Sequence, residues 1–150
     1  MVNEKVSKTE KIAVIRIRGI RSMEPKIKIA LEYLRLHRPH HCVILNASPQ
    51  TMGAINKVRD YVAYGAVDEQ TLSKLLLKRG EKGGKLLREL KTDVKKIVKE
   101  FLDGKKLSDF IDPVFRLHPP RGGYKDIKIH YPYGDLGKRD DINNLLKRMM

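Results

Sequence analysis

Apolar positions change period repeatedly along the first half of the chain. From Ile12 to Arg18 the sequence is rich in β-branched residues, with Ile15 and Ile17 alternating against Arg16 and Arg18. That pattern predicts a half-buried strand. Pro25 suits a first helical turn, where its missing N–H has no partner to lose. Ile27, Ala30, Leu31 and Leu34 then recur at helical spacing, while Lys28, Glu32 and Arg35 look outward. Pro39 is expected to stop this helix. Residues 42–45 are continuously apolar and predict a covered strand. Ser48-Pro49 reads as the cap and first turn of a helix with Met52, Ile55 and Val58 on one face. Residues 61–67 predict a third strand, weakened or bulged at Gly65. The order is β-α-β-α-β, and a sheet with both helices on one face buries their apolar sides.

The second half is more helical. Asp68 is placed to cap a helix carrying Leu72, Leu75 and Leu76, ended by Gly80. Residues 81–84 read as a flexible charged loop, and 85–90 fit strand and helix equally. Thr92 is placed to cap a helix with Val94, Ile97, Val98 and Phe101 on one face and Gly104 beyond its end. Residues 107–111 add a helical turn before Asp112-Pro113. Residues 114–118 predict a strand closed by Pro119-Pro120. Residues 121–139, rich in Gly, Lys, Tyr and Pro, predict extended structure without a large core. Asp140 or Asp141 caps a last helix with Ile142, Leu145, Leu146 and Met149 on one face. The organisation read from this is a flexible N-terminus at 1–10, a core domain at 11–67, and a helical and extended basic region at 68–150 packed on that core.

Charge changes the picture more than composition does. The chain has 150 residues and 41% apolar side chains, enough for a buried core. Its 32 Lys and Arg exceed 18 Asp and Glu by 14, and its pI near 9.9 lies in the range of nucleic-acid binders. Such a chain repels itself without an anionic partner. One cysteine, Cys42, cannot form an internal disulfide, which excludes a disulfide-built domain. No apolar signal segment follows Met1, and the longest stretch without Asp, Glu, Lys or Arg, from Pro39 to Asn56, is too polar to span a membrane. A soluble, reducing-compartment protein is expected.

Both halves of the chain are basic, and three clusters concentrate the charge. Lys11 to Arg38 holds 8 basic against 2 acidic residues, and Lys78 to Lys106 holds 11 against 5. The third sets Arg116, Arg121, Lys125 and Lys128 against Asp126 alone, with His118 and Tyr124 among them. Phosphate neutralisation by such residues releases counterions and binds RNA or DNA with a steep salt dependence. Lys95, Lys96 and Lys99 read equally well as a solvated helix face with interleaved acids. Arg16, Arg18 and Arg21 are stronger candidates, because a guanidinium forks onto phosphate oxygens. The stretch from His118 to Lys125, His-Pro-Pro-Arg-Gly-Gly-Tyr-Lys, combines donors, an aromatic face and glycines that admit a close backbone, as RNA recognition uses; an ordinary Gly-Gly surface turn is the plain alternative.

Catalytic and metal signals fail on spacing. Gly80 to Lys85 resembles a phosphate loop, but its first Gly lies one residue too late and Leu86 replaces the Ser or Thr that would hold Mg²⁺. His37, His40 and His41 lie near Cys42 without a second ligand pair, so they read as a helix end and a strand entrance. Cys42 reads as a core thiol. No pair of carboxylates in an apolar context and no nucleophile elbow occurs. No enzyme and no cofactor is expected.

Two blocks carry a family resemblance. From Leu34 the sequence runs Leu-Arg-Leu-His-Arg38, then His41-Cys-Val43, then Gly53-Ala-Ile-Asn-Lys-Val58. These segments resemble the large-ribosomal-subunit protein L-thirty family, called L-seven in eukaryotes, over about residues 12–67. From Val114 to Tyr124 the sequence is similar to the second signature of its longer archaeal and eukaryotic forms, and Asp135-Leu-Gly137 and the terminal helix fit too. The resemblance implies an α/β (α+β), ferredoxin-like fold. Its three-stranded antiparallel sheet has the order 3-1-2, with two helices on one face and a basic helical extension. It implies a structural role in the cytoplasmic ribosome. The partners it implies are large-subunit rRNA, the region of 5S rRNA and neighbouring ribosomal proteins, with no membrane and no small-molecule substrate. Carried over, Arg18, Arg21 and Lys26 lie near phosphates, Arg38 belongs to the first block, and Asn56 and Lys57 follow on the second helix. Arg116, His118, Arg121 and Lys125 come from the late signature. Arg16 and Tyr124 join them on the charge and stacking arguments above. Ala54 stands where Met is common, and His40 stands where Asn is common, so His40 is left out of the site. A general nucleic-acid-binding protein, of nucleoid or RNA-processing type, is the alternative that charge alone allows.

Overall fold

Strand β1 (Lys11–Arg16) is buried along its whole length, where the alternation of Ile and Arg predicted one wet face. The cause is a second layer of helices. The computed structural model describes residues 11–19, 21–90, 93–104 and 111–150. The expected flexible segment 1–10, the expected cap Thr92 and most of the helical turn expected at 107–111 lie outside the described residues.

β1 is the middle of the sheet, flanked by antiparallel β2 (His41–Asn46) and β3 (Val62–Ala66). This is the expected order 3-1-2, but the sheet has five strands rather than three. β6 (Val114–Arg116) pairs antiparallel with β2, and β7 (Gly137–Lys138) pairs parallel with β3. On one face lie α1 (Pro25–Tyr33) and α2 (Pro49–Val58). There Ile12, Val14, Val43 and Val62 pack with Leu31, Ile55 and Val58. The other face is covered by α3 (Glu69–Arg79), α4 (Val94–Leu102) and α5 (Ile142–Met149). There Ala13, Ile15, Cys42 and Ile44 pack with Leu75, Phe101 and Leu146. The sheet is thus the middle of three layers, and continuous burial replaces alternation.

Local signals explain most boundaries. Ser48 Oγ accepts from Thr51 N at 3.1 Å and starts α2. Asp93 Oδ1 accepts from Lys95 N at 3.1 Å, so the cap of α4 is Asp93. Helix α1 ends six residues before Pro39, at a turn in which Arg35 takes φ 63°. Asp68 sits at the α3 cap position without a side-chain cap bond. Residues 81–86 form a small hairpin rather than a loop, with β4 (Glu81–Lys82) and β5 (Lys85–Leu86) joined by Gly83 and Gly84 at φ 60° and 82°. Two consecutive left-handed residues are what a tight hairpin turn requires.

Residues 121–139 hold more order than expected. Leu136 is buried, and Asp135 is 1% exposed. Asp135 Oδ1 accepts from Arg139 Nη1 at 2.6 Å, and its Oδ2 accepts from Lys125 N at 2.5 Å. Arg139 also forks onto Asp141, at 2.9 and 3.0 Å, which takes that carboxylate away from capping α5. Gly65 does not bulge β3: it pairs with Ala13. A Cβ there would lie 2.3 Å from Arg139 O, so glycine is needed for the close approach of this segment.

Candidate nucleic-acid interface

One end of the sheet collects most of the candidate residues. β1 ends at Arg16, opposite Val62, where β3 begins. Ile15 pairs with Cys42, so the next antiparallel position sets Arg16 opposite His41, where β2 begins. His41 in turn pairs with Arg116, where β6 ends. The loops that leave this end carry Arg18, Arg21, Arg38 and the segment 117–125.

Arg16 is the main departure from expectation. It is 3% exposed, and its Nη1 and Nε donate to Leu36 O at 2.8 Å and to Arg18 O at 3.0 Å. Its burial follows from the turn after α1 folding over the end of β1. Arg18 is half-buried with its guanidinium 4.9 Å from the Tyr61 ring centroid, a cation–π contact that fixes its direction. Arg21 and Arg38 are exposed. Lys26, in the first turn of α1, and Lys57, in the last turn of α2, are exposed on the two sides of one groove between these helices. Asn56 is exposed beside Lys57.

The late block docks on the early one. Tyr124 Oη hydrogen-bonds His40 Nδ1 at 2.9 Å, and the two rings stack at 5.9 Å and 9°. Burial, reinforced by the Asp135 carboxylate, pushes the Tyr124 phenol up in pKa. One face of this ring is therefore occupied from within the protein, and Tyr124 acts as a joint rather than an open stacking platform. His118 is similarly engaged: its Nδ1 lies 2.6 Å from Pro119 O and its Nε2 2.5 Å from Met150 O. Arg121 and Lys125 are exposed. Their loop is pinned by Arg148, which donates from Nε to Arg121 O at 3.0 Å and from Nη2 to Gly123 O at 2.6 Å. Gly122 and Gly123 take φ 81° and 74°, the left-handed backbone this turn requires.

Three participants were not among the sequence candidates. His40 takes φ 66°, and its position gives the late block its anchor. His and Asn are among the non-glycine residues that tolerate this region, a signal visible at position 40. Arg148 and the Asp135–Arg139 pair hold the loop from behind and had no local signature. Cations dominate the surroundings of the two histidines at the sheet end. Burial and then His118 lower the His40 pKa. Burial, then Arg116, Arg38, His37 and Arg16, lower that of His41. Cys42, beside it, is fully buried and its thiol pKa is raised by burial. Among the described residues, no group of three or more His, Cys, Asp or Glu is placed to hold a metal, and no helix is long and apolar enough to cross a membrane.

Known proteins match this chain along its length. A family model described as Ribosomal protein L30p/L7e matches residues 12–62. A Large ribosomal subunit protein uL30 from Archaeoglobus fulgidus is 44% identical over 149 residues, covering 91% of this chain and 98% of its own. The protein of that name from Methanococcus vannielii is 44% identical over 151 residues, covering 92% and 98%. That from Methanoculleus marisnigri is 41% identical over 150 residues, covering 91% and 98%. The family model ends with the early block, whereas the relatives extend through the late one. With both blocks meeting at one cationic end of the sheet, the chain belongs to the L30p/L7e family of ribosomal proteins.

Proposed function

We propose that this chain is a structural constituent of the large ribosomal subunit that binds large-subunit rRNA near 5S rRNA and beside neighbouring ribosomal proteins. The observation that carries the reading is the convergence of two distant sequence blocks on one basic surface, in a chain 44% identical to proteins named for that subunit. Arg18, Arg21, Lys26, Arg38, Lys57, Arg116, Arg121 and Lys125 meet phosphates, and Asn56 offers a polar contact beside Lys57. Arg16, His118 and Tyr124 are positioning residues that fix the loops carrying these cations. The mechanism is electrostatic and geometric: a rigid sheet end presents guanidinium groups at set spacing, and counterion release supplies much of the affinity. No catalytic step is part of this role, and the site of action is the cytoplasmic ribosome. General nucleic-acid binding shares the charge but accounts for neither block. The test is sedimentation of the tagged chain from a cell extract. Comigration with large-subunit particles at moderate salt is expected, and a chain spread over bulk DNA or free in solution would overturn the reading.

A further inference from the structure

Two apolar side chains stand on the outward side of α1. Its core face is Ile27, Ala30, Leu31 and Leu34, yet Ile29 and Tyr33 are 65% and 79% exposed. They lie one turn apart, and Lys26 precedes Ile29 by three positions, so the three form one stripe along the helix. Neighbouring exposed apolar side chains of this size mark a binding surface more often than a solvated one. Tyr33 borders two hollows. One is the groove between α1 and α2, about 1030 Å³, with Ile29 and Gly53 in its walls and Lys26 and Lys57 on its two sides. The other, about 510 Å³, runs from Tyr33 along α2 and the end of β2, and carries Arg35, Asn46, Gln50 and Thr51. A Cβ on Gly53 would have nothing within 4 Å, so the groove is open along α2 at that point. Among the described residues, neither Lys26 nor Lys57 is in an ion pair.

We propose that Tyr33 is a stacking platform for unpaired nucleotides, with a single strand of RNA crossing the groove so that its bases lie on the Tyr33 ring and Ile29 while Lys26 and Lys57 face its backbone. Which RNA is bound rests on the ribosomal reading; the platform itself rests on the open ring and on the amphiphilic groove beside it. A nucleobase has an apolar face and polar edges, and its strand carries negative charge. The surface answers each of these: Tyr33 and Ile29 for the faces, Gln50 and Arg35 at the second hollow for the edges, and the two lysines for the charge. A duplex keeps its base faces covered and cannot use the ring. A protein helix laid in the groove would cover the apolar surface but leave the polar rim of the second hollow unused. Tyr33 thereby supplies the stacking surface that Tyr124, closed by His40, does not.

The test measures binding of the full chain to a single-stranded oligoadenylate and to an RNA duplex with the same number of phosphates, across a salt series. Tyr33→Ala, at an exposed position and checked for native circular dichroism, should weaken oligoadenylate binding about tenfold. It should leave the salt slope and duplex binding unchanged, because no phosphate contact is removed. Tyr33→Phe keeps the ring face and should stay within about twofold of the unaltered chain. The ring-proton signals of Tyr33 in NMR spectra, assigned by their absence from Tyr33→Ala, should move upfield as a base stacks on them. Tyr33→Ala should weaken binding to large-subunit rRNA as well. Oligoadenylate affinity that Tyr33→Ala leaves within about twofold, or Tyr33 signals that stay in place at saturation, would overturn the platform; rRNA binding by the unaltered chain would keep the ribosomal reading standing. Comigration with large-subunit particles lost in Tyr33→Ala without any change in RNA affinity would overturn it in favour of a protein partner in the groove. Tyr33-dependent oligoadenylate binding by a chain that does not bind large-subunit rRNA would overturn the ribosomal reading and leave the platform standing.

Discussion

Replacing Arg139 with Met tests how the late block is held. Arg139 is 4% exposed and bridges Asp135, also buried, to Asp141 at the rim. Removing it leaves the Asp135 carboxylate inside the protein without its cation. Breaking a buried pair from one side costs about 3–5 kcal/mol. Asp135 Oδ2 keeps the amides of Lys125 and Asp126, at 2.5 and 3.3 Å, so the lower part of that range, about 3 kcal/mol, is expected. At roughly 2–4 °C per kcal/mol for a chain of this size, the melting temperature should fall by roughly 6–12 °C. Asp141→Asn is the control, because that carboxylate is about a third exposed and its pair is screened by water. Its loss should cost about 1 kcal/mol or less. Urea unfolding at pH 7 with a common m-value measures both. A loss below about 1 kcal/mol for Arg139→Met, or equal losses for the two variants, would refute the argument that a buried ion pair fixes residues 124–139.

Four further outcomes are expected. Gly65→Ala should cost about 1–3 kcal/mol in urea unfolding, because its Cβ meets Arg139 O and the Ile142 side chain. Gly53→Ala, in open space on α2, should instead gain about 0.5–1 kcal/mol from helix propensity. Stability should fall as pH drops below about 6.5: His40 and His41 have lowered pKa values when folded, so the unfolded chain binds more protons there. A urea midpoint that stays flat between about pH 7.5 and 5.5 would contradict this. Finally, Arg18→Ala with Arg21→Ala should weaken rRNA binding and flatten its salt slope by roughly 1–2; an unchanged slope would show that these arginines do not meet phosphate.

The early elements were legible because their signals are local. Pro25 and Ser48-Pro49 mark helix starts, and Ile27 to Leu34 and Met52 to Val58 keep helical periods long enough to read. What the sequence hid depends on contacts far along the chain. Arg16 looks like a solvent residue until the turn at Leu36 folds over the end of β1, and the rest of the strand is covered on its other face by helices beyond residue 68. β7 has two residues, too few for any period, and exists because Gly65 and Gly137 admit close backbone and ring contacts. The hairpin at 81–86 had a readable turn in Gly83-Gly84, but its strands are equally short. At the site, the exposed arginines and lysines were readable as charge. The stacking face expected of Tyr124 was not available, because its partner, His40, lies 84 positions away. Charge is a property of residue type, whereas engagement is a property of the fold.

The measurement that bears most directly on the account is a salt series of binding to large-subunit rRNA with 5S rRNA present, against duplex DNA of equal length. A basic surface shaped by two docked blocks predicts tight rRNA binding that survives salt while DNA binding collapses. Equal affinities with parallel salt slopes would mean that net charge alone governs binding, and would contradict a shaped rRNA interface.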